Sequence, residues 1–369
     1  LPIWTTTPWT LPANQAIVLH PDMAYVALPS PRDPGEHLVV ARELAATFLA
    51  AIGAPAGGED AWIELDKTRL RTLEGARYQH PFLGAPRAEA HFRTWFADYV
   101  TAEQGTGLVH TAPGHGADDY KTGAAHDLEP YAPIDDRGRF TAEVPHWAGM
   151  STEEANPKIV AHLAETGFLL NAAGEKIRHQ YAHCWRCKGP ILYRATPQWF
   201  LSIDHAGLRD RSLAAIEATT WVPPWGKNRI HAMIAARPDW CLSRQRVWGV
   251  PIPAFYCTAC GVEHASADTM VHVAEIFGRD GADAWWERSV AELVPAGTRC
   301  AGCGADADKL EREQDIVDVW FESGASWYAM ALADPEHADI DLYLEGSDQH
   351  RCWFHSSLLV SMGVQGKAP

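Results

Sequence analysis

Gly105-Thr106-Gly107-Leu108-Val109-His110-Thr111-Ala112-Pro113-Gly114-His115-Gly116-Ala117-Asp118-Asp119-Tyr120 packs two histidines, two adjacent aspartates and four glycines into sixteen residues. It stands between a strand-like run and a helix-like one. Glycine lets backbone approach a ligand closely. Imidazoles and carboxylates can bind an ammonium group, order a water or bound a pocket. A tight, polar surface loop has the same composition. A second segment, Trp4-Thr5-Thr6-Thr7-Pro8-Trp9-Thr10-Leu11-Pro12-Ala13-Asn14, opens the chain. Taken alone, its β-branched threonines read as strand formers.

Around these segments, residues 1 to about 180 read as one unit. Strand-like runs recur at Ala16-Ile-Val-Leu19, Tyr25-Val-Ala-Leu28, His37-Leu-Val-Val40 and Ala90 to Phe96, punctuated by proline and glycine. Helices are expected at Ala41 to Ala51 and Pro157 to Thr166. The pattern predicts an α+β or β-barrel-like domain with insertions. From about 181 the texture changes. Arg194-Ala-Thr-Pro-Gln-Trp-Phe-Leu-Ser202 leads into a helix expected near 205–218. A strand-like Leu342-Tyr-Leu344 ends at Glu345-Gly346-Ser347-Asp348 and feeds a helix expected from about Arg351 to Met362. A strand that ends in a polar turn and feeds a helix is a ligand-binding arrangement in α/β sheets.

With 369 residues, two or three domains are expected. The 47% hydrophobic and 21% charged composition is that of an ordinary globular protein. No apolar run approaches the ~18–20 residues that span a bilayer, so no membrane role and a cytoplasmic location are expected. The formal charge of −16 argues against coating nucleic acid by bulk electrostatics. It leaves room for local contacts to one RNA end.

Six of the eight cysteines form three Cys-x-x-Cys pairs: Cys184/Cys187, Cys257/Cys260 and Cys300/Cys303. Glycine follows two of the pairs, as Gly261 and Gly304, and permits a left-handed turn around one metal. Those two knuckles supply four thiolates, the closed tetrahedral set of a structural zinc site. A redox or accidental pairing is the alternative. Cys184/Cys187 has no second pair to join, so it is either vacant or completed by cysteines upstream. His183 is awkwardly placed to be a third ligand. Cys241 and Cys352 read as buried, inert thiols.

The threonine segment and the His110/Asp119 segment together resemble the editing pocket of the isoleucyl-tRNA synthetases. Four more segments resemble the class I synthetases for branched aliphatic amino acids, in the family's order: Ala195-Thr-Pro-Gln-Trp-Phe200, Trp240-Cys-Leu-Ser-Arg-Gln-Arg-Val-Trp-Gly249, Asp318-Val-Trp-Phe-Glu-Ser-Gly324 and Tyr343-Leu-Glu-Gly-Ser-Asp-Gln-His-Arg-Cys-Trp-Phe354. Leucyl and valyl enzymes usually carry Arg where Thr7 stands, and the valyl enzyme Lys where His110 stands. Two residues depart from the pattern: Glu322 replaces Asp, and Cys352 replaces Gly.

The resemblance implies an α/β multidomain protein. A β-barrel-like α+β editing domain (1–180) is inserted in a class I Rossmann-type catalytic domain. Residues 181–256 return to that domain, 257–305 form a zinc-binding insertion, and 306–369 are its second half. An apolar pocket separates side chains differing by one methylene only about 10–200-fold, so a second site removes misattached valine. In that site Asp119 would receive the α-ammonium of valine, and His110 would form the wall that rejects isoleucine. Thr5, Thr6, Thr7 and Thr10 would line the pocket above Trp9, binding the terminal adenosine of tRNA(Ile) and placing a water. In the second half, Glu345, Gly346, Asp348 and Gln349 would contact the aminoacyl-adenylate, with Trp320 and Trp353 around the isoleucine side chain. Zn2+ would be structural, with ligands Cys257, Cys260, Cys300 and Cys303. Cys184 and Cys187 would form half of a second site. A monomer is expected.

The chain opens in what reads as mid-strand at Leu1-Pro2-Ile3-Trp4, without Met, and neither His-x-Gly-His nor Lys-Met-Ser-Lys-Ser occurs. A piece of a longer protein is therefore expected. Its parent would use ATP and Mg2+, and the piece itself would at most hydrolyse. A freestanding deacylase, a valyl or leucyl sister enzyme and a zinc-dependent RNA-binding module are the competing readings.

Overall fold

The computed structural model describes the chain except residues 56–57, 173–176, 178–179, 335 and 337–339. Two compact units divide it, Leu1–Thr196 and Pro197–Pro369. Their junction lies beyond the change of texture read near 181.

In chain order, unit 1 contains β1 (Ala16–Leu19), β2 (Tyr25–Pro29), β3 (His37–Ala41), α1 (Ala45–Ala51), β4 (Ile63–Leu65), α2 (Lys67–Arg71), β5 (Arg93–Phe96), β6 (Leu108–Thr111), α3 (Ala117–Ala125) and α4 (Thr152–Glu165). β1 is central in one sheet, parallel to β5 and antiparallel to β6. β2 is central in the other, antiparallel to β3 and β4. Side chains alternate along a strand, and β2 uses both faces. Tyr25 packs with Ile17, Leu19 and Leu108, while Val26 and Leu28 pack with Phe48 and Leu49 of α1. The expected barrel does not form. Among the described residues both sheets are open and three-stranded, and a barrel requires the first strand to pair with the last.

Helix α4 begins five residues before the expected Pro157. Ser151 and Glu154 form a reciprocal capping box that fixes its start, and Pro157 sits inside it. Ala155, Ile159 and Leu163, spaced four apart, bury one stripe against Trp9 and Leu11. Each large apolar side chain so buried contributes about 1.5–3 kcal/mol. The threonine segment is not a strand. It runs into a short 3-10 helix, Pro8–Ala13, in which Trp9 to Ala13 are buried.

Unit 2 contains β7 (Phe200–Leu201), α5 (Leu208–Ala218), α6 (Trp225–Ala235), β8 (Trp240–Cys241), β9 (Ser243–Arg244), β10 (Phe255–Cys257), β11 (Glu263–His264), α7 (Ala267–Asp280), α8 (Ala284–Glu287), α9 (Val290–Leu293), β12 (Leu310–Arg312), β13 (Ile316–Val317), α10 (Val319–Gly324), α11 (Ser326–Ala333) and α12 (Trp353–Val364). One core joins Ile216, Ile234, Trp240, Trp327 and Leu359. The other surrounds the cysteine knuckles with Phe255, Val273, Ile276, Trp285 and Leu310, on the antiparallel sheet β11-β10-β12. The expected strand Leu342–Leu344 is absent. A strand needs a hydrogen-bonded neighbour, and among the described residues this segment pairs with none. Leu342 and Leu344 are exposed. The helix expected after it is present as α12.

Candidate active sites and metal centre

The two segments singled out at the start converge in unit 1. β6 pairs with β1 so that His110 lies opposite Ile17. Its Nε2 is 2.9 Å from Thr10 Oγ1, and its Nδ1 is 2.9 Å from Asn14 Nδ2. Thr10 Oγ1 donates to Thr7 O at 2.9 Å. Thr7 N–H donates to Thr5 Oγ1 at 3.0 Å, and the Thr5 and Thr7 hydroxyls lie 3.3 Å apart. Trp9 is buried, its N–H held by Asn156 Oδ1 of α4 at 2.8 Å and its ring edge-on to His115, with centroids 4.9 Å apart. Thr5, Thr6, Thr7, His110 and Asp119 are partly exposed.

Asp119 lies in the first turn of α3, which Gly116 caps. Its Oδ2 accepts the Ala112 N–H at 2.8 Å. A Cβ at Gly116 would stand 3.0 Å from the Asp119 Cγ, so the bare backbone makes room for the carboxyl. Burial pushes this carboxyl up to about 6, although the Ala112 N–H opposes the shift. Burial likewise holds His110 down at about 3, with His115 and His80 adding to the effect. The imidazole is therefore neutral across the physiological range.

Two of the glycines read as ligand-approach positions pack against protein instead. A Cβ on Gly114 would come within 2.2 Å of Tyr131 O, and one on Gly107 within 2.4 Å of the Ala41 Cβ. A cleft of about 190 Å3 is lined by Trp4, Tyr99, Thr101, the turn from Gln104 to Gly107 and the start of β6 at Leu108 and Val109, with Trp4 and Val109 the chain neighbours of Thr5 and His110. Burial raises the Tyr99 phenol, the Thr122 and Thr111 hydroxyls oppose the shift, and the nearby Asp119 carboxylate adds to it. The sequence singled out neither Tyr99, Tyr78 nor Asn156. Asn14 was quoted there without a role. Tyr78 meets Asn14, and Asn156 meets Trp9, only through long-range folding, so local pattern carries no sign of them.

In unit 2, Trp320 and Trp353 sit on abutting helices. Asp318 caps α10 by accepting the Trp320 N–H at 3.1 Å, and it is itself buried and held by Trp240 Nε1 at 2.9 Å and Arg244 Nη2 at 2.7 Å. Trp353 Nε1 donates to Ser323 O of α10 at 2.8 Å. Glu345, Gly346 and Asp348 are exposed ahead of α12. Gln349 is partly buried, and its Oε1 accepts the Trp353 N–H at 2.9 Å. Of the two departures, Glu322 Oε1 accepts the Val250 N–H at 3.1 Å, and Cys352 precedes α12 in an irregular conformation, φ −111° and ψ −107°. Neither Cys241 nor Cys352 is fully buried, contrary to expectation.

The sulfurs of Cys257, Cys260, Cys300 and Cys303 all lie within 4.8 Å of one another, with 3.7 Å between Cys257 and Cys303 and 3.5 Å between Cys260 and Cys300. Tetrahedral zinc–thiolate bonds of about 2.3 Å place sulfurs about 3.8 Å apart. The donor set fits zinc. Gly261 and Gly304 take φ +75° and +73°, as their positions demand. Amide hydrogens of Cys303 and Gly302 draw the Cys300 thiol down to about 6. The Cys184 turn repeats this backbone pattern. In all three knuckles the first cysteine's O accepts from the residue four on, and its N–H donates to the residue five on. Here Lys188, at φ 61°, replaces glycine. His183 Nδ1 is 2.7 Å from Lys188 O and is thereby tied to the turn. Among the described residues no second pair faces Cys184 and Cys187.

A family model described as "tRNA synthetases class I (I, L, M and V)" matches residues 42–369. The chain belongs to this family. Isoleucine–tRNA ligases of Geobacter sulfurreducens and Nitratidesulfovibrio vulgaris are each 48% identical to it, and that of Fervidobacterium pennivorans 46%, in each case over 100% of this chain. The chain spans 38% of the length of these synthetases. The crystal structure of GlLeuRS-CP1 aligns with 46% of this chain and 81% of its own at 18% identity, with a TM-score of 0.32. As a class I synthetase chain it has an α/β framework, and no helix among the described residues is long and apolar enough to cross a membrane.

Proposed function

We propose that this chain carries the editing site and part of the synthetic site of an isoleucine–tRNA ligase. Its own reaction is hydrolysis of valyl-tRNA(Ile). The observation that carries the reading is the junction of His110, Thr10 and Thr7 beside the Asp119 turn, in a chain 48% identical to isoleucine–tRNA ligases along its whole length.

In this reading the Asp119 carboxylate receives the substrate's α-ammonium as a charge-assisted hydrogen bond. His110 has both nitrogens engaged and stays neutral, so it serves as a wall rather than a base. The hydroxyls of Thr5, Thr6 and Thr7 hold the terminal adenosine and place the attacking water against the ester. Placement of a water beside its target is the main source of rate in such a site. Thr10 and Trp9 hold the floor. Among the described residues no serine or cysteine nucleophile is paired with these groups, so the water attacks directly.

The domain reading is a 1–180 editing domain, a 181–256 return to the catalytic domain, a 257–305 zinc insertion and a 306–369 second catalytic half of Rossmann type. Glu345, Gly346 and Asp348 would contact the adenylate, and Trp320 and Trp353 the isoleucine side chain. Gln349 would do so while capping α12. Zinc would be held by Cys257, Cys260, Cys300 and Cys303, neutralising thiolate charge and closing the α7–α9 insertion, while Cys184 and Cys187 would await a further pair. The longer synthetase would use ATP and Mg2+, act as a cytoplasmic monomer and bind tRNA(Ile).

Release of valine from valyl-tRNA(Ile), compared between the chain and its Asp119→Ala variant, tests the proposal. A loss of about tenfold or more in the variant is expected. Equal release by both overturns the role of Asp119.

A further inference from the structure

Beneath the pocket, a single directed chain of hydrogen bonds runs through residues far apart in sequence. Tyr78 Oη–H donates to Asn14 Oδ1 across a separation of 64 residues. Asn14 Nδ2 donates to Ala16 O at 2.8 Å and to His110 Nδ1 at 2.9 Å. His110 Nε2 meets Thr10 Oγ1 at 2.9 Å, and Thr10 Oγ1 donates to Thr7 O at 2.9 Å.

We propose that Tyr78 is a positioning residue for the deacylation site: its hydroxyl holds the Asn14 amide, which locks His110 in the Nε2–H tautomer with both ring nitrogens occupied. The inference rests on the reading of that pocket as the editing site.

The direction of every bond follows from chemistry. Ala16 O can only accept, so the Asn14 atom facing it is the amide nitrogen. The oxygen then points at Tyr78, whose hydroxyl must donate. The second Asn14 N–H points at His110 Nδ1, at 2.9 Å the nearer of its two remaining acceptors (Thr111 O stands at 3.5 Å), and an amide nitrogen cannot accept, so Nδ1 bears a lone pair. A neutral imidazole with an unprotonated Nδ1 carries its hydrogen on Nε2 and donates it to Thr10. Thr10 has committed its own hydrogen to Thr7 O. Two consequences follow. The ring has no free nitrogen and no freedom to rotate, as a steric wall requires. Thr10 supports that wall, and its hydroxyl hydrogen is not available to a ligand.

Asn14 is buried, 7% exposed. Without the Tyr78 hydroxyl its oxygen would lose its partner, and a buried acceptor left unpaired is costly. Swinging the amide relieves that cost but withdraws Nδ2 from His110, freeing the ring to change tautomer and tilt. The Tyr78 ring itself packs on Phe92, with centroids 5.9 Å apart, and Tyr78→Phe keeps this contact.

The experiment is a long-range proton–nitrogen correlation spectrum of the chain labelled with 15N-histidine, recorded for the unaltered chain and Tyr78→Phe. Hydrolysis of valyl- and isoleucyl-tRNA(Ile) is measured on the same samples. The unaltered chain is expected to show His110 wholly protonated on Nε2. In Tyr78→Phe an Nδ1–H population is expected, and the preference for the valyl ester should fall about fivefold. If His110 stays wholly Nε2–H in the variant, or if selectivity is unchanged despite a tautomer shift, the positioning role is overturned. Should Tyr78→Phe fail to fold, Asn14→Asp carries the same test. Its carboxylate accepts where Nδ2 donated, so Nδ1–H is expected, and persistence of Nε2–H overturns the proposal. A chain that hydrolyses neither ester yet shows the tautomer shift keeps the hold of Tyr78 on the ring and refutes the editing reading instead.

Discussion

Asn14 Nδ2 and His110 Nδ1 stand 2.9 Å apart, and the opposite ring nitrogen of His110 is as close to Thr10 Oγ1. An imidazole held at both nitrogens and kept neutral cannot take a proton from water. The titrating group that matters for the proposed hydrolysis is then Asp119.

Asp119 must be ionised to receive an ammonium group, and burial raises its carboxyl to about 6. As pH falls through 6 the carboxylate is protonated and activity is lost, about tenfold per further unit. His110, at about 3, adds no inflection above pH 4. The pH–rate profile of valyl-tRNA(Ile) hydrolysis is expected to show one inflection near 6. A profile flat down to pH 4.5 would contradict this assignment.

The same shift has a sign for stability. A carboxyl with a folded pKa above its unfolded value costs stability once ionised, so the cost is present above pH 6 and absent below the ordinary Asp range. Asp119→Asn should raise the melting temperature at pH 7.5, leave it unchanged near pH 3.5, and abolish hydrolysis. Parallel melting curves at the two pH values check the prediction.

Asn156 of α4 holds the N–H of buried Trp9 at 2.8 Å. Asn156→Ala leaves that N–H unpaired and should cost about 1–3 kcal/mol in urea unfolding. Because Thr10 follows Trp9, deacylation should weaken as well.

Gly324 of α10 passes so close to α12 that a Cβ there would lie 2.9 Å from Ser356 C and O. Backbone cannot yield as a side chain can, so Gly324→Ala should destabilise unit 2 by about 1–3 kcal/mol. The Trp353–Ser323 bond spans the same interface, at 2.8 Å, and the fluorescence of Trp353 should shift to the red.

The cysteine knuckles lie within a core that holds fully buried Trp285 and Phe255. Cys300→Ser should abolish binding of one zinc per chain, measured by inductively coupled plasma spectrometry, and expose Trp285 to quenchers. Retention of zinc by the variant would remove Cys300 from the ligand set.

How far the sequence could be read depended on the range of the interactions involved. β1, β2 and β3 and the helices α1, α5 and α12 follow local alternation and periodicity, and their approximate positions are legible. The two facing knuckles are legible because each cysteine pair, with its glycine, dictates its own turn. The start of α4 was also written in the sequence, as Ser151-Thr-Glu-Glu154, but Pro157 outweighs it when read as a first-turn signal. The barrel and the strand at Leu342–Leu344 failed for a different reason. Pairing is a property of neighbours, and an apolar run does not name its partner. The cluster around His110 shows the same limit. His110, Asp119 and the threonines stand in two short segments, whereas Tyr78 and Asn156 join them only once the chain has folded.

The most direct test of the proposed editing site is a competition in one vessel between valyl-tRNA(Ile) and isoleucyl-tRNA(Ile), each with a different radiolabel on its amino acid. The chain is expected to release valine and spare isoleucine, and His110→Ala to release both. Equal release of the two amino acids by the unaltered chain would contradict the account.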